Sequence, residues 1–316
     1  MRLSIVVSML NEEDVCPLFL SSVGRVLDEI TDDYEIVCVN DGSRDGTLKI
    51  LREAHRRDKR VKVIDLSRNF GKEAALTAGL EYSTGEAVIP IDADLQDPPE
   101  LIPQMVERWQ RGADVVLAVR RDRSSDSRVK QTTATWFYRI MNSMSEVKLT
   151  AHAGDFRLMD RAVVEALKKL PERTRFMKGL FAWLGFKQSV VYYERPERAA
   201  GKSKWEYWRL WNFALEGIFS FTTLPLRIWT YVGFAVTGCA AMYLIFVIAK
   251  TLILGVDVPG YASLLSLVLF FGGLNLIGLG ILGEYVGRIF VETKQRPVYL
   301  VRKTIGFKEQ TASKAA

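Results

Sequence analysis

The chain has 316 residues, is 48% hydrophobic and 25% charged, and carries a formal net charge of +6. This length is enough for one large domain or two smaller ones. The three cysteines have no close spacing, which argues against a disulfide framework or a zinc site, and a charge of this size requires no nucleic-acid partner.

The first 120 residues alternate strands and helices in a pattern that predicts an α/β domain. Short apolar runs rich in β-branched residues predict five strands. Continuous apolar strands separated by helices are typical of a mostly parallel sheet covered on both faces, and ligands bind beyond the carboxyl ends of such strands. The predicted strands are residues 3–10, 34–40, 61–67, 87–92 and 113–120, and the predicted helices are about 14–30, 47–57, 72–83 and 100–112.

Oxygen-bearing side chains end the fourth predicted strand at alternate positions, as Asp92, Asp94 and Gln96. In an extended chain alternate residues share a face, so we expect the three side chains to converge on one point. Hard oxygen ligands suit Mg²⁺ or Mn²⁺, which often complete their coordination with substrate phosphates. The pattern therefore predicts a metal site that neutralises a diphosphate leaving group.

The following residue, Asp97, has a different interpretation. It precedes Pro98, Pro99 and Glu100. Asp at the N-cap, Pro at the first helical position and Glu at the third make a helix start with a capping-box pattern. We therefore assign Asp97 mainly to helix capping.

Polar residues also follow the other predicted strands. Glu12 follows the first, and Asp41 and Ser43 follow the second, where carboxylates could accept hydrogen bonds from a base N–H or a ribose hydroxyl. Arg68 and Lys72 follow the third, beside a helix start that suits a nucleotide diphosphate. Each residue taken alone also fits turn chemistry or a solvated surface. Four polar strand ends in succession favour a nucleotide site.

Two apolar stretches lie near the C-terminus, at residues 229–249 and 258–283, and neither contains a charged side chain. Each is long enough to cross a bilayer core of ~30 Å as a helix. Buried core helices are the alternative, but two stretches in tandem with a short connection favour a membrane hairpin. The flanking Lys and Arg residues predict, by the positive-inside rule, that both chain ends are cytoplasmic.

Seven segments resemble the polyisoprenyl-phosphate glycosyltransferases, members of glycosyltransferase family 2 with a GT-A domain. The bactoprenol (undecaprenyl-phosphate) glucosyltransferases are the most similar group, and the dolichyl-phosphate mannose synthases are more distant. The resemblance covers nearly the whole chain. The segments are "VVSMLNEED", "VNDGSRDGT", "LSRNFGKEAALTAGL", "IDADLQDPPE", "AGDFRLMDR", "PERTRFMKGLFAWLGF" and "GKSKWEYWRLWNFALEGIFSF".

The resemblance implies roles for several of these residues. Asp94 and Gln96 match the metal ligands of the family, and Asp92 lies beside the nucleotide. Glu12 and Asp41 match the contacts to the base and the ribose. The domain implied is a Rossmann-like GT-A fold with a mostly parallel sheet.

The resemblance also places Asp155, in "AGDFRLMDR", near the sugar and the acceptor. A polyprenyl phosphate would attack through a phosphate oxygen, and a monoester with a second pKa of ~6 is largely ionised at neutral pH. It needs positioning more than deprotonation, so we expect Asp155 to orient the sugar or to accept a proton only from the minor monoanion. Many relatives have Pro-x-Tyr where this chain has Ser8 and Leu10. The contact to the base that this tyrosine implies therefore has no matching aromatic residue here.

Basic residues are needed to hold the acceptor phosphate against the donor diphosphate. The candidates are Arg120 after the fifth predicted strand, Arg128 beyond it, and Arg198 and Lys204 in "RAAGKSKW". The last two lie in a glycine-containing loop ahead of the apolar stretches, where a lipid phosphate would arrive. A solvated basic face is the alternative interpretation for this set.

These observations predict that the protein is located in the cell membrane and that its chain has four regions. They are a cytoplasmic GT-A domain at residues 1–200, a Trp-rich amphipathic juxtamembrane segment at 201–228, a two-helix transmembrane region at 229–290 and a basic cytoplasmic tail at 291–316. Amphipathic helices of this composition lie in the membrane interface, where a basic surface also suits anionic lipid headgroups. A homo-oligomer is the family expectation.

The leading functional hypothesis is an inverting transferase that moves one hexose, most simply glucose from UDP-glucose, to undecaprenyl phosphate. The same fold with another donor, such as GDP-mannose or a UDP-linked GlcNAc or aminoarabinose derivative, is the first alternative. A processive polysaccharide synthase is disfavoured because two spans are few and the Q-x-x-R-W motif is absent from the sequence. A non-catalytic membrane scaffold would be expected to lose a metal ligand, and Asp92, Asp94 and Gln96 are all present.

Overall fold

The computed structural model describes residues 1–120, 153–173, 175, 177–193, 224–254 and 260–307. The chain forms two compact units. The first, here called the sheet unit, combines residues Met1–Asn212 with Arg296–Ala316. The second, the helical unit, is residues Phe213–Gln295. The two segments of the sheet unit therefore flank the helical unit in the sequence.

The sheet unit contains eight strands and six described α-helices. The strands are β1 (Leu3–Met9), β2 (Tyr34–Asn40), β3 (Val61–Leu66), β4 (Ala87–Pro90), β5 (Val115–Arg120), β6 (Ala153–Asp160), β7 (Gln188–Tyr193) and β8 (Val301–Ile305). The helices are α1 (Cys16–Asp28), α2 (Thr47–Arg57), α3 (Lys72–Tyr82), α4 (Ile102–Gln110), α5 (Arg161–Lys168) and α6 (Met177–Trp183). All five strands and all four helices predicted in the first 120 residues are present.

The strands form one sheet in the order β7-β5-β6-β4-β1-β2-β3-β8. The pairs β1–β2, β1–β4, β2–β3 and β5–β7 are parallel, and β4–β6, β5–β6 and β3–β8 are antiparallel. The prediction of an α/β domain with a mostly parallel sheet is confirmed. Because β1, β2, β3 and β4 run in the same direction, the loops that follow them gather at one edge of the sheet.

The core of the sheet unit lies on both faces of its central strands. All seven residues of β2 are buried, and so are six of the seven in β1. The side chain of Phe19 from α1 is fully buried in this core. Helix α3 approaches β1 closely at Gly79, where an added Cβ would lie 2.2 Å from Cγ1 of Val6. This close packing fixes the helix whose first residue is Lys72.

The C-terminal segment differs from the predicted basic tail. Residues Val301–Ile305 form β8, which pairs antiparallel with β3 and completes that side of the sheet. From the sequence this stretch is predicted only as part of the basic tail, which contains Arg302 and Lys303. Charged residues of this kind suit a strand at the edge of a sheet, where one row of side chains faces solvent.

The helix start after the metal motif also differs from the prediction. A short 3₁₀ turn, Pro99–Leu101, precedes α4, and its N-cap residue is Pro98 rather than Asp97. Asp97 is buried and accepts a hydrogen bond of 2.7 Å from the hydroxyl of Tyr193 in β7. The predicted N-cap position of Asp97 is therefore wrong, because a tertiary contact takes this carboxylate.

The described residues of the helical unit form two long helices, α7 (Leu224–Leu254) and α8 (Tyr261–Thr293). Both contain a stretch long and apolar enough to cross a membrane, at Ile228–Val247 and Phe270–Thr293. Within the described residues, none of the first stretch and 6% of the second is buried, unlike the core helices of a soluble protein. The predicted amphipathic segment lies outside the described residues up to residue 223.

A buried charge network joins the strands at the edge of the sheet opposite the loops after β1 to β4. Glu35 at the start of β2 has a side chain only 1% exposed. Its carboxylate accepts hydrogen bonds from Ser4 Oγ at 2.6 Å, Thr84 N at 2.6 Å and Lys62 Nζ at 2.6 Å. These partners come from three separate elements, so the network fixes β1, β3 and the loop before β4 to β2.

Candidate active site

The loops after β1 and β2 are locked together by hydrogen bonds. The Asn11 amide donates to Ser43 Oγ at 3.0 Å, and the Arg44 amide donates to Asn11 Oδ1 at 2.9 Å. The Glu12 amide donates to Thr47 Oγ1 at 2.9 Å. Asn11 has a φ of 54°, a left-handed conformation that asparagine tolerates better than most residues. The two loops therefore form one rigid rim that carries Glu12 and Ser43.

Asp41 lies at the end of β2 and is 3% exposed. One of its oxygens accepts a hydrogen bond from the Phe70 amide at 2.7 Å, and the other accepts one from the Gly71 amide at 2.9 Å. Burial raises the pKa of Asp41 above its ordinary value, although these two amide hydrogen bonds oppose that shift. The carboxylate thus fixes the loop that leads from β3 into α3.

Lys72 is the first residue of α3 and connects two carboxylates. Its Nζ lies 2.7 Å from Oδ1 of Asp92 and 2.7 Å from Oδ2 of Asp155. Burial lowers the pKa of the ammonium group, but the nearby charges of Asp155 and then Asp92 outweigh that effect and raise it above its ordinary value. Gly71, the N-cap, has a φ of 97°, a conformation that favours glycine and that turns the chain into the helix.

The sheet topology explains how Asp155 reaches Asp92. Strand β6 runs antiparallel to β4, with Val88 opposite Met159. The amino-terminal half of β6 therefore extends past the end of β4, beside the loop that contains Asp92. The structure brings together three residues that the sequence analysis assigned to the site, from positions 72, 92 and 155.

Arg157 of β6 is a charged residue of this site that the sequence analysis missed. It is 4% exposed, its Nη2 donates to the carbonyl of Gly154 at 2.6 Å, and its guanidinium lies 4.0 Å from the ring centre of Phe181. Burial lowers its pKa to about 10, whereas the carboxylates of Asp155 and Glu73 act to raise it. The guanidinium therefore remains charged at neutral pH. An arginine within the apolar run "FRLM" was the available signal.

The segment from Asp92 to Gln96 is a turn and not an extended strand. Strand β4 ends at Pro90, Leu95 has a φ of 56°, and the Gln96 amide donates to Oδ1 of Asp94 at 3.2 Å. The prediction that alternate residues share one face of an extended chain is therefore wrong for this segment. The turn still keeps the three side chains at the carboxyl end of β4.

The turn offers oxygen ligands that fit a hard divalent cation. Oε1 of Gln96 is buried and accepts no hydrogen bond from the described residues, so an acceptor is left for another partner. The carboxylate of Asp94 precedes it by two residues. Among the described residues, no group of three or more His, Cys, Asp or Glu side chains forms a complete metal site. A cation held here would need further ligands from a substrate, as Mg²⁺ and Mn²⁺ accept from phosphates.

The four predicted phosphate-binding cations can be traced only in part. Arg120 is the last residue of β5 and lies opposite Tyr193 of β7 in the parallel register. Arg128, Arg198 and Lys204 lie outside the described residues. Arg120 therefore stands at the same edge of the sheet as the loops of the site, because β4 and β5 both run antiparallel to β6 and so run in the same direction.

Comparison with known proteins decides the family. The model of the family described as Glycosyl transferase family 2 matches residues 4–168. The chain belongs to glycosyltransferase family 2. The match includes every described site residue, from Glu12 to Arg157. The fold is GT-A-like, and the protein is a glycosyltransferase.

Full-length relatives in this family have high sequence identity. The chain is 55% identical over 300 residues to an uncharacterized glycosyltransferase, sll0501, of Synechocystis, covering 95% of this chain and 94% of the relative. It is 50% identical to the prophage bactoprenol glucosyl transferase homolog of Escherichia coli K12, covering 96% and 99%. It is 52% identical to the bactoprenol glucosyl transferase of Shigella phage SfX, also covering 96% and 99%. The family 2 enzyme therefore groups with the bactoprenol glucosyl transferases.

Proposed function

We propose that the protein transfers one glucose from UDP-glucose to undecaprenyl phosphate, with inversion at the anomeric carbon, on the cytoplasmic face of the cell membrane. The observation that carries the proposal is the convergence of Lys72, Asp92 and Asp155 beside the turn of Asp94 and Gln96. This arrangement offers oxygen ligands and one ammonium group for a diphosphate, and a carboxylate for a sugar. The names of the full-length relatives support the acceptor and the sugar.

The donor would occupy the edge formed by the loops after β1 to β4. Glu12, Asp41 and Ser43 would contact the nucleoside, since they follow β1 and β2 on the interlocked rim. Asp92 and Lys72 would lie beside the diphosphate and the sugar. Asp41 would act with its remaining lone pairs, because each carboxylate oxygen already accepts one backbone amide.

Asp94 and Gln96 would hold Mg²⁺ or Mn²⁺. Such a cation, when bound, supplies positive charge against the diphosphate leaving group. The buried Oε1 of Gln96 supports this role, since it accepts no hydrogen bond from the part of the chain that the structure describes and a buried acceptor left unsatisfied is costly. Lys72 is the protein's own cation for the same diphosphate.

The transfer itself requires one bond to form and one to break. An ionised phosphate oxygen of the acceptor attacks the anomeric carbon, and the bond from that carbon to the diphosphate oxygen breaks with its electron pair leaving on UDP. Attack from the side opposite the leaving group inverts the configuration. Asp155 would orient the sugar hydroxyls, because the acceptor is already ionised at neutral pH. Arg120, Arg128, Arg198 and Lys204 would position the acceptor phosphate.

The membrane would hold the acceptor within reach of this site. The sheet unit contains chain from both sides of the helical unit, so the chain must return to the side from which it left. Two crossings by α7 and α8 satisfy this requirement, and each helix has the length and composition to span. The basic residues of both flanks favour the cytoplasmic side. A homo-oligomer is part of the proposal on the family expectation.

The test uses the full chain purified in detergent with undecaprenyl phosphate and either cation. A panel of radiolabelled UDP- and GDP-sugars is offered, and label is counted in the lipid phase. We expect label from UDP-glucose, lost in Asp94→Asn and retained in the matched control Asp32→Asn, at an exposed position before β2. Label from another donor would replace glucose in the proposal. Absence of lipid label from every donor would overturn it.

A further inference from the structure

The segment that follows α8 in the sequence is fastened to the edge of the nucleotide site. Residues 299–307, here called the C-terminal strap, contain β8 and contact β3 and the end of α3. The Tyr299 hydroxyl donates to Oε2 of Glu81 at 2.6 Å, and the ring of Phe307 packs edge-on against Tyr82 at 5.2 Å between centres. These contacts add to the β3–β8 ladder and fix the strap along its whole length.

The strap has an irregularity at Arg302. Lys303 lies opposite Asp65, but the next pair is Val301 with Leu66, so Arg302 is an extra residue in the ladder. A bulge of this kind changes the direction of a side chain and is frequent beside functional sites. Here it coincides with the end of β3, where the loop to Lys72 begins.

Arg302 contacts this loop through its guanidinium. Its Nη2 donates to the carbonyl of Ser67 at 2.5 Å, and the Ser67 amide in turn donates to the carbonyl of Leu300 at 2.9 Å. Both backbone groups of Ser67 are therefore held by the strap. Lys72 is only five residues further along the chain.

The guanidinium also faces a buried charge. Its Nη1 lies 3.9 Å from Oδ2 of Asp65, a side chain that is 2% exposed. That oxygen accepts no hydrogen bond from the described residues, while the other oxygen accepts one from Asn40 Nδ2 at 2.8 Å. Asn40 Oδ1 accepts the Ser43 amide at 3.3 Å. The strap is thus connected to the loop after β2 as well as to the loop after β3.

We propose that Arg302 is a positioning residue for the donor site, which holds the loop of residues 67–72 in place from the strap side. Asp41 holds the same loop from the other side, through the amides of Phe70 and Gly71. Lys72 can then meet Asp92 and Asp155 without ordering the loop at each binding event. The inference rests on the proposed function for the identity of the donor, a uridine diphosphate sugar.

This geometry predicts that the C-terminal strap affects the binding of the sugar donor and not the binding of the lipid acceptor. Among the described residues, the guanidinium of Arg302 contacts the loop after β3 directly and the loop after β2 through Asp65 and Asn40, and both loops are assigned to the nucleotide and its diphosphate. If these contacts are lost, the loops become more mobile, and donor binding must then supply the free energy that orders them. The KM for the donor should therefore rise while the KM for undecaprenyl phosphate stays the same.

The test compares Arg302→Met with Lys303→Met in the full-length protein. Both variants remove one positive charge from an exposed position of β8. Among the described residues the Arg302 guanidinium contacts Ser67 and Asp65, whereas Lys303 pairs with Asp65 through the backbone ladder, which the substitution leaves in place. Three quantities are measured: hydrogen exchange of residues 66–72, the Kd of UDP by calorimetry, and the KM for the sugar donor. Arg302→Lys, which keeps the charge and loses the planar donor pair, is the graded variant.

We expect faster exchange in residues 66–72 and a roughly 2- to 30-fold weaker UDP affinity in Arg302→Met, an intermediate effect in Arg302→Lys, and wild-type values in Lys303→Met. Equal exchange in the two methionine variants would overturn the inference. Faster exchange with unchanged UDP affinity would reduce Arg302 to a structural contact and would also overturn it. If the wild type transfers no glucose, the proposed function fails, while exchange and UDP binding still decide the role of Arg302.

Discussion

The ammonium group of Lys72 and the carboxylate of Asp155 lie 2.7 Å apart, although 83 positions separate them in the chain. Lys72 begins α3 on one side of β4, and Asp155 lies in β6 on the other. Asp92, from the loop after β4, completes the group. One cation thus balances two carboxylates at the place where a diphosphate and a sugar would meet.

Replacing Lys72 by Met should impair donor use more than it impairs folding. The variant removes the ammonium group that lies between Asp92 and Asp155, and with it the proposed contact to the diphosphate. We expect kcat/KM for the donor to fall by roughly 10²- to 10³-fold, measured as sugar transfer to lipid. Lys49→Met, at an exposed position of α2, is the charge-matched control. Full activity in Lys72→Met would remove this residue from the donor site.

Replacing Arg157 by Met should lower kcat with little change in donor KM. The thioether side chain suits the apolar surroundings beside Phe181, but the carbonyl of Gly154 loses its charged donor. A shift of Asp155 of about 1 Å can cost ~10²-fold in rate. Steady-state kinetics measures the effect on catalysis, and thermal unfolding measures the effect on stability. We expect kcat to be partly restored in Arg157→Lys. A large loss of stability with an unchanged kcat in the folded protein would contradict a positioning role.

The stabilising contribution of Glu35 should be lost at acidic pH, so the protein should be less stable there than at neutral pH. Burial raises the pKa of Glu35, but hydrogen bonds from Lys62, Ser4 and Thr84 outweigh it and hold the pKa below its ordinary value of 4.5. The folded carboxyl therefore binds a proton less readily than the unfolded one. Its stabilising contribution is complete above the ordinary pKa and is lost as the pH falls through the lowered pKa of the folded state.

Glu35→Gln tests this pH dependence. The variant should be less stable at pH 7 by about 3 kcal/mol, because Lys62 loses its buried partner. Its unfolding temperature should also change less than that of the wild type between pH 5 and pH 3. Thermal unfolding in detergent across this range is the measurement, with Glu107→Gln on the exposed face of α4 as the control. Parallel pH profiles for Glu35→Gln and the wild type would refute the assignment.

Gly278 should be required for the packing of α7 against α8. A Cβ at this position would lie 2.1 Å from Nε1 of Trp229, whereas a Cβ at Gly280 meets nothing within 4 Å. Gly278→Val should therefore destabilise the detergent-purified protein by about 1–3 kcal/mol, and Gly280→Val by much less. The double variant Gly278→Val with Trp229→Ala should recover part of the loss. Equal effects at the two glycines would exclude this contact.

Local patterns were sufficient to predict most elements of the sheet unit. The strands and helices of the first 120 residues follow from apolar periodicity and from turn residues such as those of "DGSRDGT", which act over a few positions. The same reasoning placed Glu12, Asp41, Lys72 and Asp92 at strand ends. Parallel strands separated by helices must end at one edge, so these assignments required no long-range information.

Contacts between distant segments could not be predicted in this way. The carboxylate of Asp97 fits an N-cap pattern locally, yet it accepts a hydrogen bond from Tyr193, 96 positions away. The turn at Leu95 interrupts what the alternation of Asp92, Asp94 and Gln96 predicted as extended chain. In both places the local preference is worth about 1 kcal/mol, which a buried tertiary contact can exceed.

Neighbouring residues are enough to predict the α/β class, the positions of the acidic strand ends and the two apolar helices, because each of these features depends on local chemistry. The folded chain is needed to show that Lys72 joins Asp92 to Asp155, that Arg157 is buried in the same strand as Asp155, and that Arg302 of β8 contacts Ser67 in the loop before Lys72. These relationships depend on strand order, and the order in which β6 and β8 enter the sheet is set by the free energy of the whole fold rather than by any local segment.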